Sequence, residues 1–361
     1  GRRQLDLAAL ELGRFEPGAL VASSGARWRL ADPWRRPLVA LGAVLAGRIG
    51  PTDGLRTAGL RAWALQSLAA GRLDPDGPAT EAERSTRDEL AARGFSPRFV
   101  DSFFRPFFGG VFLERGLETA AAVFLFDFAM FARGHACLPR GGMEAIPAQL
   151  AAGLPSGSVR LETPVERVEP GRVHLTGGRK LEARHVIVAT DGPAAAELLP
   201  EPRRSAVPSR RWKGTRLVAF AADSSPLERP ELVVSADADG PIDNLTVPSD
   251  VVAGYAPSGA ALVFASIRAD FSADGEELVD AVRRQAATWF GGRATHWRHL
   301  RTVRVARALP DESPAGRRLR PAAARLDPGL FICGDHCGSA SINGALSSGR
   351  HCAEAVLAER A

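Results

Sequence analysis

The stretch of the chain at residues 329–357 concentrates residue types that carry out chemistry. It reads GLFICGDHCGSASINGALSSGRHCAEAVL and holds three of the four cysteines, two histidines and Asp335. Thiolate and imidazole groups are the ligands that zinc prefers in proteins, so a tetrahedral metal site is one interpretation. The glycines and the aspartate offer another, in which the backbone of this segment holds a ligand.

A zinc site would need these cysteines and histidines to converge on one point. Cys333 lies in an apolar stretch that predicts a β-strand, where neighbouring side chains point to opposite faces. Cys352 lies in a predicted helix, roughly two turns beyond Gly344. Convergence would require the intervening loop to fold back. We therefore expect no metal here, and expect the cysteines to be buried as small apolar residues beside one exposed histidine.

The same segment predicts a strand, a glycine-rich turn and a helix, in that order. A helix N-terminus offers unpaired N–H groups and the positive end of the helix dipole, which favour phosphate. The small residues between Gly338 and Ser341 would let a ligand approach the backbone, and Asp335 could accept hydrogen bonds from sugar hydroxyls. An ordinary strand, turn and helix with a capping aspartate is the alternative, and the pattern leaves both open.

Composition limits the classes of protein to which the chain can belong. Of 361 residues, 45% are hydrophobic and 24% charged, as in ordinary soluble proteins. No apolar run reaches the roughly 20 residues that cross a bilayer, and no secretory signal is visible. The net charge of +5 comes from scattered arginines without interleaved aromatic residues, so we expect no nucleic-acid binding. Four cysteines suit a reducing compartment, and we expect a cytoplasmic protein.

The hydrophobic pattern predicts an α/β protein of two interleaved domains. The first part of the chain is typical of helices and loops, and the aromatic-dense stretch at 96–114 predicts a packed helix broken at Pro106, or the wall of a substrate cavity. Residues 139–200 predict a helix, alternating strands joined at Gly177-Gly178, and the strand HVIVAT buried on both faces. Residues 210–308 predict a second, strand-rich unit with one amphipathic helix.

Two stretches make the resemblance to a known family specific. The segment 329–357 resembles the C-terminal flavin-binding segment of the superfamily of FAD-dependent amine oxidases, phytoene desaturases and protoporphyrinogen oxidases. The stretch from LPRGGM through TPVERV to HVIVAT resembles the middle of the same fold. The resemblance implies a two-domain FAD-binding fold of the glutathione-reductase type with an inserted mixed α/β substrate domain. Its segments would be 1–138 (substrate domain, helical part), 139–209 (FAD-binding), 210–310 (substrate domain, strand-rich) and 311–361 (FAD-binding).

The resemblance also implies which residues contact a non-covalently bound FAD. Asp335 would contact the ribityl or phosphate region, and Gly334 would clear space for it. The isoalloxazine would lie on the start of the last helix, and the middle segment would supply an adenine contact and a chain reversal near the dinucleotide. The residues implied for these last roles are Ser341, Ile342, Asn343, Gly344 and Ala345 for the isoalloxazine, Val165 for the adenine, and Ala189 and Thr190 for the reversal.

The sequence also departs from the family pattern. The N-terminal strand, the G-x-G-x-x-G loop and the acidic residue that binds the ribose have no counterpart. We therefore expect the chain to be a fragment that lacks an N-terminal βαβ unit.

The implied activity is removal of a hydride equivalent from a C–N or C–C bond of a small molecule, with oxygen or another acceptor receiving the electrons. The aromatic stretch favours a hydrophobic substrate, and peripheral contact with a membrane is left open. No catalytic residue can be assigned. A role for Lys213 near the flavin is possible in this family, although a surface or loop lysine is the preferred interpretation. The alternative is a flavoprotein-like domain without catalysis that binds a partner or a lipid.

Overall fold

A seven-stranded sheet forms the centre of the larger part of the molecule. The computed structural model describes residues 4–207, 210–227, 229–237, 239–321 and 323–359. The strands are β1 (Gly13–Arg14), β2 (Ala19–Ser23), β3 (Ala26–Leu30), β4 (Cys137–Leu138), β5 (Val165–Glu169), β6 (Arg172–Leu175), β7 (Lys180–Glu182), β8 (Val186–Val188), β9 (Trp212–Ala222), β10 (Leu232–Ser235), β11 (Ile242–Thr246), β12 (Ala261–Ile267), β13 (Arg298–Pro310), β14 (Arg325–Asp327) and β15 (Leu330–Ile332).

Twelve α-helices accompany these strands in the described part of the chain. They are α1 (Pro37–Leu45), α2 (Pro51–Ala69), α3 (Thr86–Ala92), α4 (Pro97–Phe99), α5 (Arg105–Phe112), α6 (Ala121–Arg133), α7 (Ala145–Ala152), α8 (Gly192–Leu198), α9 (Pro248–Val251), α10 (Gly275–Phe290), α11 (Pro314–Arg318) and α12 (Ile342–Ala358). A π-helical turn, Val100–Phe104, joins α4 to α5.

The large sheet has the order β13-β9-β12-β11-β10-β2-β3, and its neighbours are antiparallel except for β10 and β2. Along β12 every second residue is buried, which is the pattern of a strand with one face on the core. The helix α10 covers that face. Its buried residues recur at helical spacing, and Asp274 caps its first turn by accepting a hydrogen bond from the Gly275 N–H. The strand-rich unit and its amphipathic helix were thus predicted correctly.

The N-terminal hairpin β2–β3 is an element that the sequence pattern did not predict. Residues 1–130 were expected to be mainly helix and loop, but β2 pairs in parallel with β10 and β3 forms the edge of the same sheet. Ser24 and Gly25 connect the two strands, and Gly25 has a φ of 78°. A two-residue turn ending in glycine is a hairpin signal. The hairpin was not predicted because β2 is held in the sheet by β10, more than 200 residues away.

The aromatic stretch forms a continuous helical segment and is not broken at Pro106. Within the π-helical turn, the Arg105 N–H donates to the Val100 carbonyl five residues back. This wider turn accommodates the proline ring, which in a regular α-helix would clash with the carbonyl four residues earlier. Phe104, Phe108 and Phe124 are almost fully buried and pack edge to face. They form the centre of a second hydrophobic core.

Two three-stranded sheets form the remaining part, and β1 and β4 make a separate antiparallel pair. One has the order β14-β15-β8, with β15 and β8 parallel, and the other is the meander β5-β6-β7. The predicted hairpin at Gly177-Gly178 joins β6 to β7, and both glycines have the positive φ that such a turn requires. Together with the large sheet, these elements make an α/β protein built on separate sheets, as the hydrophobic pattern predicted.

The prediction that HVIVAT is buried on both faces was wrong. Val186 and Val188 are buried, whereas Ile187 is 44% exposed. Within the described residues β8 has a strand neighbour on one side only, and none of the residues of α7 is buried. The apolar side chain of Leu150 in α7 is correspondingly 37% exposed.

The phenylalanine core predicts a large stability loss on truncation of a central ring. We expect Phe104→Ala to lower the free energy of unfolding by about 3–5 kcal/mol, because it leaves a cavity among rings that cannot close it. Phe131→Ala, at a ring that is 39% exposed, should cost clearly less. Urea denaturation followed by circular dichroism measures both, and equal losses would contradict the assigned core.

Candidate functional site

Two parallel strands end at the same edge of the small sheet and bring four predicted site residues together. The Cys333 N–H donates to the Val188 carbonyl over 3.0 Å, so β8 and β15 remain in register at their ends. Gly334 has a φ of 152°, and a Cβ there would lie 3.2 Å from the Thr190 carbonyl oxygen. Only glycine fits this close approach. Ala189 and Thr190 therefore lie beside Gly334 and Asp335.

The helix α12 begins next to this turn, as predicted. The Ser341 hydroxyl caps it by accepting a hydrogen bond from the Gly344 N–H over 2.9 Å. The Gly334 N–H donates to the Ser348 hydroxyl over 3.1 Å, which holds the helix against the strand end. The helix tip itself, residues 341–343, is exposed, and Ile342 is 52% exposed.

The two remaining predicted residues of the helix, Gly344 and Ala345, lie behind that tip. Gly344 is buried, and a Cβ on it would overlap the Ser339 carbonyl oxygen. Its glycine is therefore explained by packing within the turn, whatever lies over the helix.

Val165 lies in a different sheet from the other predicted residues. It opens β5 and is 37% exposed. The meander to which it belongs packs against α8, the helix that directly follows β8. The fold thus links Val165 to the strand-end turn through one short helix, and the predicted adenine contact stays a prediction.

Asp335 and His336 are both partly withdrawn from solvent at this turn. Burial raises the pKa of the Asp335 carboxyl, while the backbone N–H of His336 opposes that shift. Burial also lowers the pKa of His336 to about 4, with the Arg210 charge acting in the same direction. Both ring nitrogens of His336 lack a hydrogen-bond partner among the described residues, and His336 is therefore a neutral, buried imidazole at neutral pH.

The cysteines of this segment are closer together than the sequence suggested. Cys333 and Cys352 are buried in one small cluster, and their thiols interact. They meet because α12 packs across β15 and places Cys352 over the strand. Burial raises the pKa of Cys337 and of Cys352 to about 12, so both stay protonated. All four cysteines are free thiols. Over the described ranges no group of three or more histidine, cysteine or acidic side chains is arranged to hold a metal ion.

Long-range contacts that no sequence motif signals tie this turn to the rest of the molecule. The Ser339 N–H donates to the Asp76 carboxylate over 2.8 Å, across 263 residues of sequence. The Arg210 guanidinium donates to the His336 carbonyl over 3.0 Å and pairs with the buried carboxylate of Glu312. Asp76 and Arg210 are therefore positioning residues of the site that the sequence analysis missed.

The residues present match one part of FAD. An exposed N-terminus on a 17-residue helix, a strand-end carboxylate and a glycine that clears the turn suit the ribityl chain and the polar edge of the ring system. The unpartnered nitrogens of His336 lie in contact with the same turn. The glycine loop that would hold the diphosphate has no counterpart in this sequence.

Lys213 lies in a strand, which corrects its interpretation as a surface or loop residue. It belongs to β9, is half-buried, and its ammonium donates to the Thr119 hydroxyl over 3.3 Å. Burial lowers the pKa of Lys213, while the carboxylates of Glu114, Asp311 and Glu312 act against that shift. It is the charged end of a polar cluster between β9 and Thr119.

An apolar cavity of about 640 Å³ lies between the large sheet and helices α1, α2 and α6. Aromatic side chains make up much of its wall, so the stretch at 96–114 is both core and cavity wall. The phenylalanines that line it are Phe15, Phe99, Phe103, Phe107, Phe108, Phe128 and Phe131. Residues 134–136 also line the cavity, and the chain runs from them through β4 to the Pro139–Gly142 loop, whose first carbonyl accepts a hydrogen bond from Tyr255.

A parallel strand pair with a glycine-aspartate turn and a helix N-terminus, joined to a separate sheet with an apolar cavity, fits the two-domain FAD-binding fold that the resemblance implied. The chain belongs to the family of flavin-containing amine oxidoreductases, whose model matches residues 18–357. It is a FAD-dependent oxidoreductase of that family.

Solved structures show the same fold at low sequence identity. A protein assigned as a protoporphyrinogen oxidase from Exiguobacterium sp. 255-15 has a TM-score of 0.70 and 18% identity. Cyclohexylamine oxidase from Brevibacterium oxydans has a TM-score of 0.69 and 18% identity, and putrescine oxidase bound to putrescine has 0.68 and 13%. In each case the alignment covers 98% of this chain and 84% of the other. A search of curated protein sequences gave no match.

Asp127, in α6, is an ionisable group whose charge the fold disfavours. Burial raises the pKa of Asp127 from its ordinary value to about 7, and the nearby Glu312 charge adds to that shift. A carboxyl with a raised pKa stabilises the fold while it is protonated. The contribution is complete below the unfolded-state pKa near 4 and is lost as the pH rises through about 7.

The amide of Asp127→Asn stays neutral at every pH. We therefore expect the variant to exceed the wild type in unfolding free energy by roughly 1–3 kcal/mol at about pH 8, and by much less at about pH 5. Urea denaturation at both pH values provides the measurement. Asp280→Asn, at an exposed position of α10, serves as control and should shift stability by less than about 0.5 kcal/mol. If the difference in unfolding free energy between Asp127→Asn and the wild type does not change with pH, the assigned pKa shift of Asp127 is contradicted.

Proposed function

We propose that the protein oxidises a hydrophobic small molecule at a C–N or C–C bond, using non-covalently bound FAD and passing the electrons to oxygen or a similar acceptor. When bound, FAD supplies the hydride-accepting chemistry. The observation that carries the substrate class is the cavity of about 640 Å³ with phenylalanine walls in the substrate domain.

In this proposal the strand-end turn and the tip of α12 hold the flavin. Asp335 accepts hydrogen bonds from ribityl hydroxyls, and Gly334 lets the turn pack against Thr190 and His336, which fixes the backbone on which Asp335 is held. The exposed start of α12 at residues 341–343 would lie at the polar edge of the ring, where the helix dipole favours negative charge. Val165, Ala189 and Thr190 are proposed to border the adenosine half.

The cavity's apolar wall would exclude water from a bound substrate and orient its hydrocarbon part. Its charged lining residues include Arg61, whose guanidinium pairs with Asp32. For a cytoplasmic enzyme of this kind, the specific substrate would be set by the shape of the aromatic wall. A non-catalytic role would instead leave the turn without flavin.

Flavin binding tests the assigned turn. We expect the fluorescence of FAD to be quenched on binding. We also expect bound FAD to raise the melting temperature of the protein. Asp335→Asn should weaken FAD binding by roughly 10–100-fold, because a charged acceptor of several hydrogen bonds is lost. Asp223→Asn, at an exposed position after β9, is the matched control and should bind as wild type does. Flavin uptake should also be measured for a longer chain that includes any segment encoded upstream. If neither protein takes up flavin, the non-catalytic alternative is favoured.

The apolar cavity predicts a dependence of rate on substrate chain length. For n-alkylamines from propyl to hexyl, kcat/KM should rise about fourfold for each added methylene that the cavity buries, since each contributes about 0.8 kcal/mol. Phe107→Ser, in the cavity wall, should reduce the rise in kcat/KM per methylene. Phe271→Ser, in the core between the large sheet and α10, should leave that rise unchanged. A wild-type kcat/KM that is independent of chain length would rule the cavity out as the binding site for the hydrocarbon.

A further inference from the structure

Charged side chains interrupt the apolar wall of the cavity. The ionisable residues that line it are Glu16, Asp32, Arg35, Arg61 and His135. A charge that is withdrawn from water is costly unless a partner of opposite sign compensates it. The pairing of these groups therefore indicates which charge a molecule in the cavity has to supply.

One carboxylate of the wall is shared between two arginines that also line the cavity. Asp32 Oδ2 lies 3.6 Å from the Arg35 Nε and 3.5 Å from the Arg61 Nε. Both guanidinium groups also donate to the Ala132 carbonyl, over 2.9 and 3.3 Å, so they lie side by side. Two positive charges thus share one negative charge, and the cluster of Asp32, Arg35 and Arg61 keeps a net charge of +1.

The other ionisable lining residues do not balance this charge. Glu16 already pairs with two arginines that do not line the cavity. Partial burial and the charge of Arg35 lower the pKa of His135, which is therefore uncharged at neutral pH. Among the described residues that line the cavity, each acidic side chain thus has two arginine partners and none is left for the extra positive charge.

Arg61 is the lining arginine with hydrogen-bonding capacity left. Arg35 donates through both terminal nitrogens, to the Gly134 and Ala132 carbonyls. Arg61 donates through Nη2, whereas its Nη1 has no hydrogen-bond partner among the described residues. The centre of the Trp34 ring lies 4.4 Å from the guanidinium carbon and holds the group in place. A fixed guanidinium with free N–H groups is well suited to bind a carboxylate.

We propose that the molecule oxidised by this protein is hydrophobic and carries a carboxylate, which Arg61 binds at the cavity wall. The ligand carboxylate accepts a hydrogen bond from the Arg61 Nη1 and balances the charge that Asp32 leaves uncompensated. The phenylalanine wall packs against the hydrocarbon part of the ligand. Only the identification of this ligand as the substrate rests on the proposed function, because its binding requires no flavin.

Calorimetric titration of the 361-residue chain with three probes of similar carbon skeleton tests the charge preference without turnover. The probes are 4-phenylbutyrate, 4-phenylbutanol and 4-phenylbutylamine, which are negative, neutral and positive at about pH 7. The wild type should bind 4-phenylbutyrate roughly 10–100-fold more tightly than either of the other two, because a hydrogen bond to a charged group contributes that much.

Three variants locate the bound probe. Arg61→Gln should lower the affinity for 4-phenylbutyrate by about tenfold or more, and should keep the affinity for 4-phenylbutanol within about twofold. The matched control is Arg133→Gln, at an exposed arginine of α6 outside the cavity lining, which should leave all three affinities unchanged. Phe107→Ser should weaken binding of 4-phenylbutyrate and of 4-phenylbutanol by the same factor, since both use the apolar wall.

Equal affinities of the wild type for 4-phenylbutyrate and 4-phenylbutanol overturn the proposal, as does an Arg61→Gln variant that loses affinity for both alike. Tightest binding of 4-phenylbutylamine overturns it in favour of a substrate that enters as a cation. If no probe binds, the carboxylate assignment fails as well. Flavin uptake and the rates with n-alkylamines are measured separately, so a failure of the proposed function is distinguishable from a failure of this inference.

Discussion

A buried network of arginines and carboxylates joins the parts of this molecule that must keep a fixed geometry for a ligand to bind. Glu312 pairs with Arg210 and with Arg320, and Arg317 pairs with Glu83, all of them nearly inaccessible to water. Arg317 and Arg320 also donate to the Gly77 and Pro75 carbonyls of a turn in the helical part of the chain. Buried charges are costly unless every partner is in place. The network therefore favours one arrangement of the strand-end turn against the large sheet and the turn at residues 75–77.

This constraint explains why the candidate site can be built from segments distant in sequence. Arg210 precedes β9, His336 follows β15, and the Arg210–His336 hydrogen bond holds the strand-end turn at the base of the large sheet. Asp76 secures the other side of the same turn through Ser339. The backbone of Gly334 and Asp335 is thus positioned by Arg210, by Asp76 and by Ser348 of α12, whose hydroxyl accepts from the Gly334 N–H. A cofactor that binds there meets a preorganised surface.

The sequence predicted what depends on local pattern and missed what depends on distant partners. Strand, turn and helix at 329–357, the Gly177-Gly178 hairpin and α10 all follow from periodicity and turn residues, and they were found. The hairpin β2–β3, the contact between Cys333 and Cys352 and the roles of Arg210 and Asp76 depend on contacts across many residues, which no local signal reports. Pro106 was misjudged because a π-helical turn, invisible in composition, makes room for it. Family resemblance supplied the cofactor, which spacing alone left open.

The parallel pairing of β2 with β10 has a consequence for biosynthesis. Leu20 and Val233 are paired neighbours in the sheet but are separated by more than 200 residues in sequence. During translation at 5–20 residues per second, β2 would leave the ribosome roughly 10–40 s before its partner. Through that interval Leu20 and Val21, buried in the finished protein, have no sheet to join. The nascent chain therefore carries an apolar hairpin without its sheet partner until β10 has been synthesised.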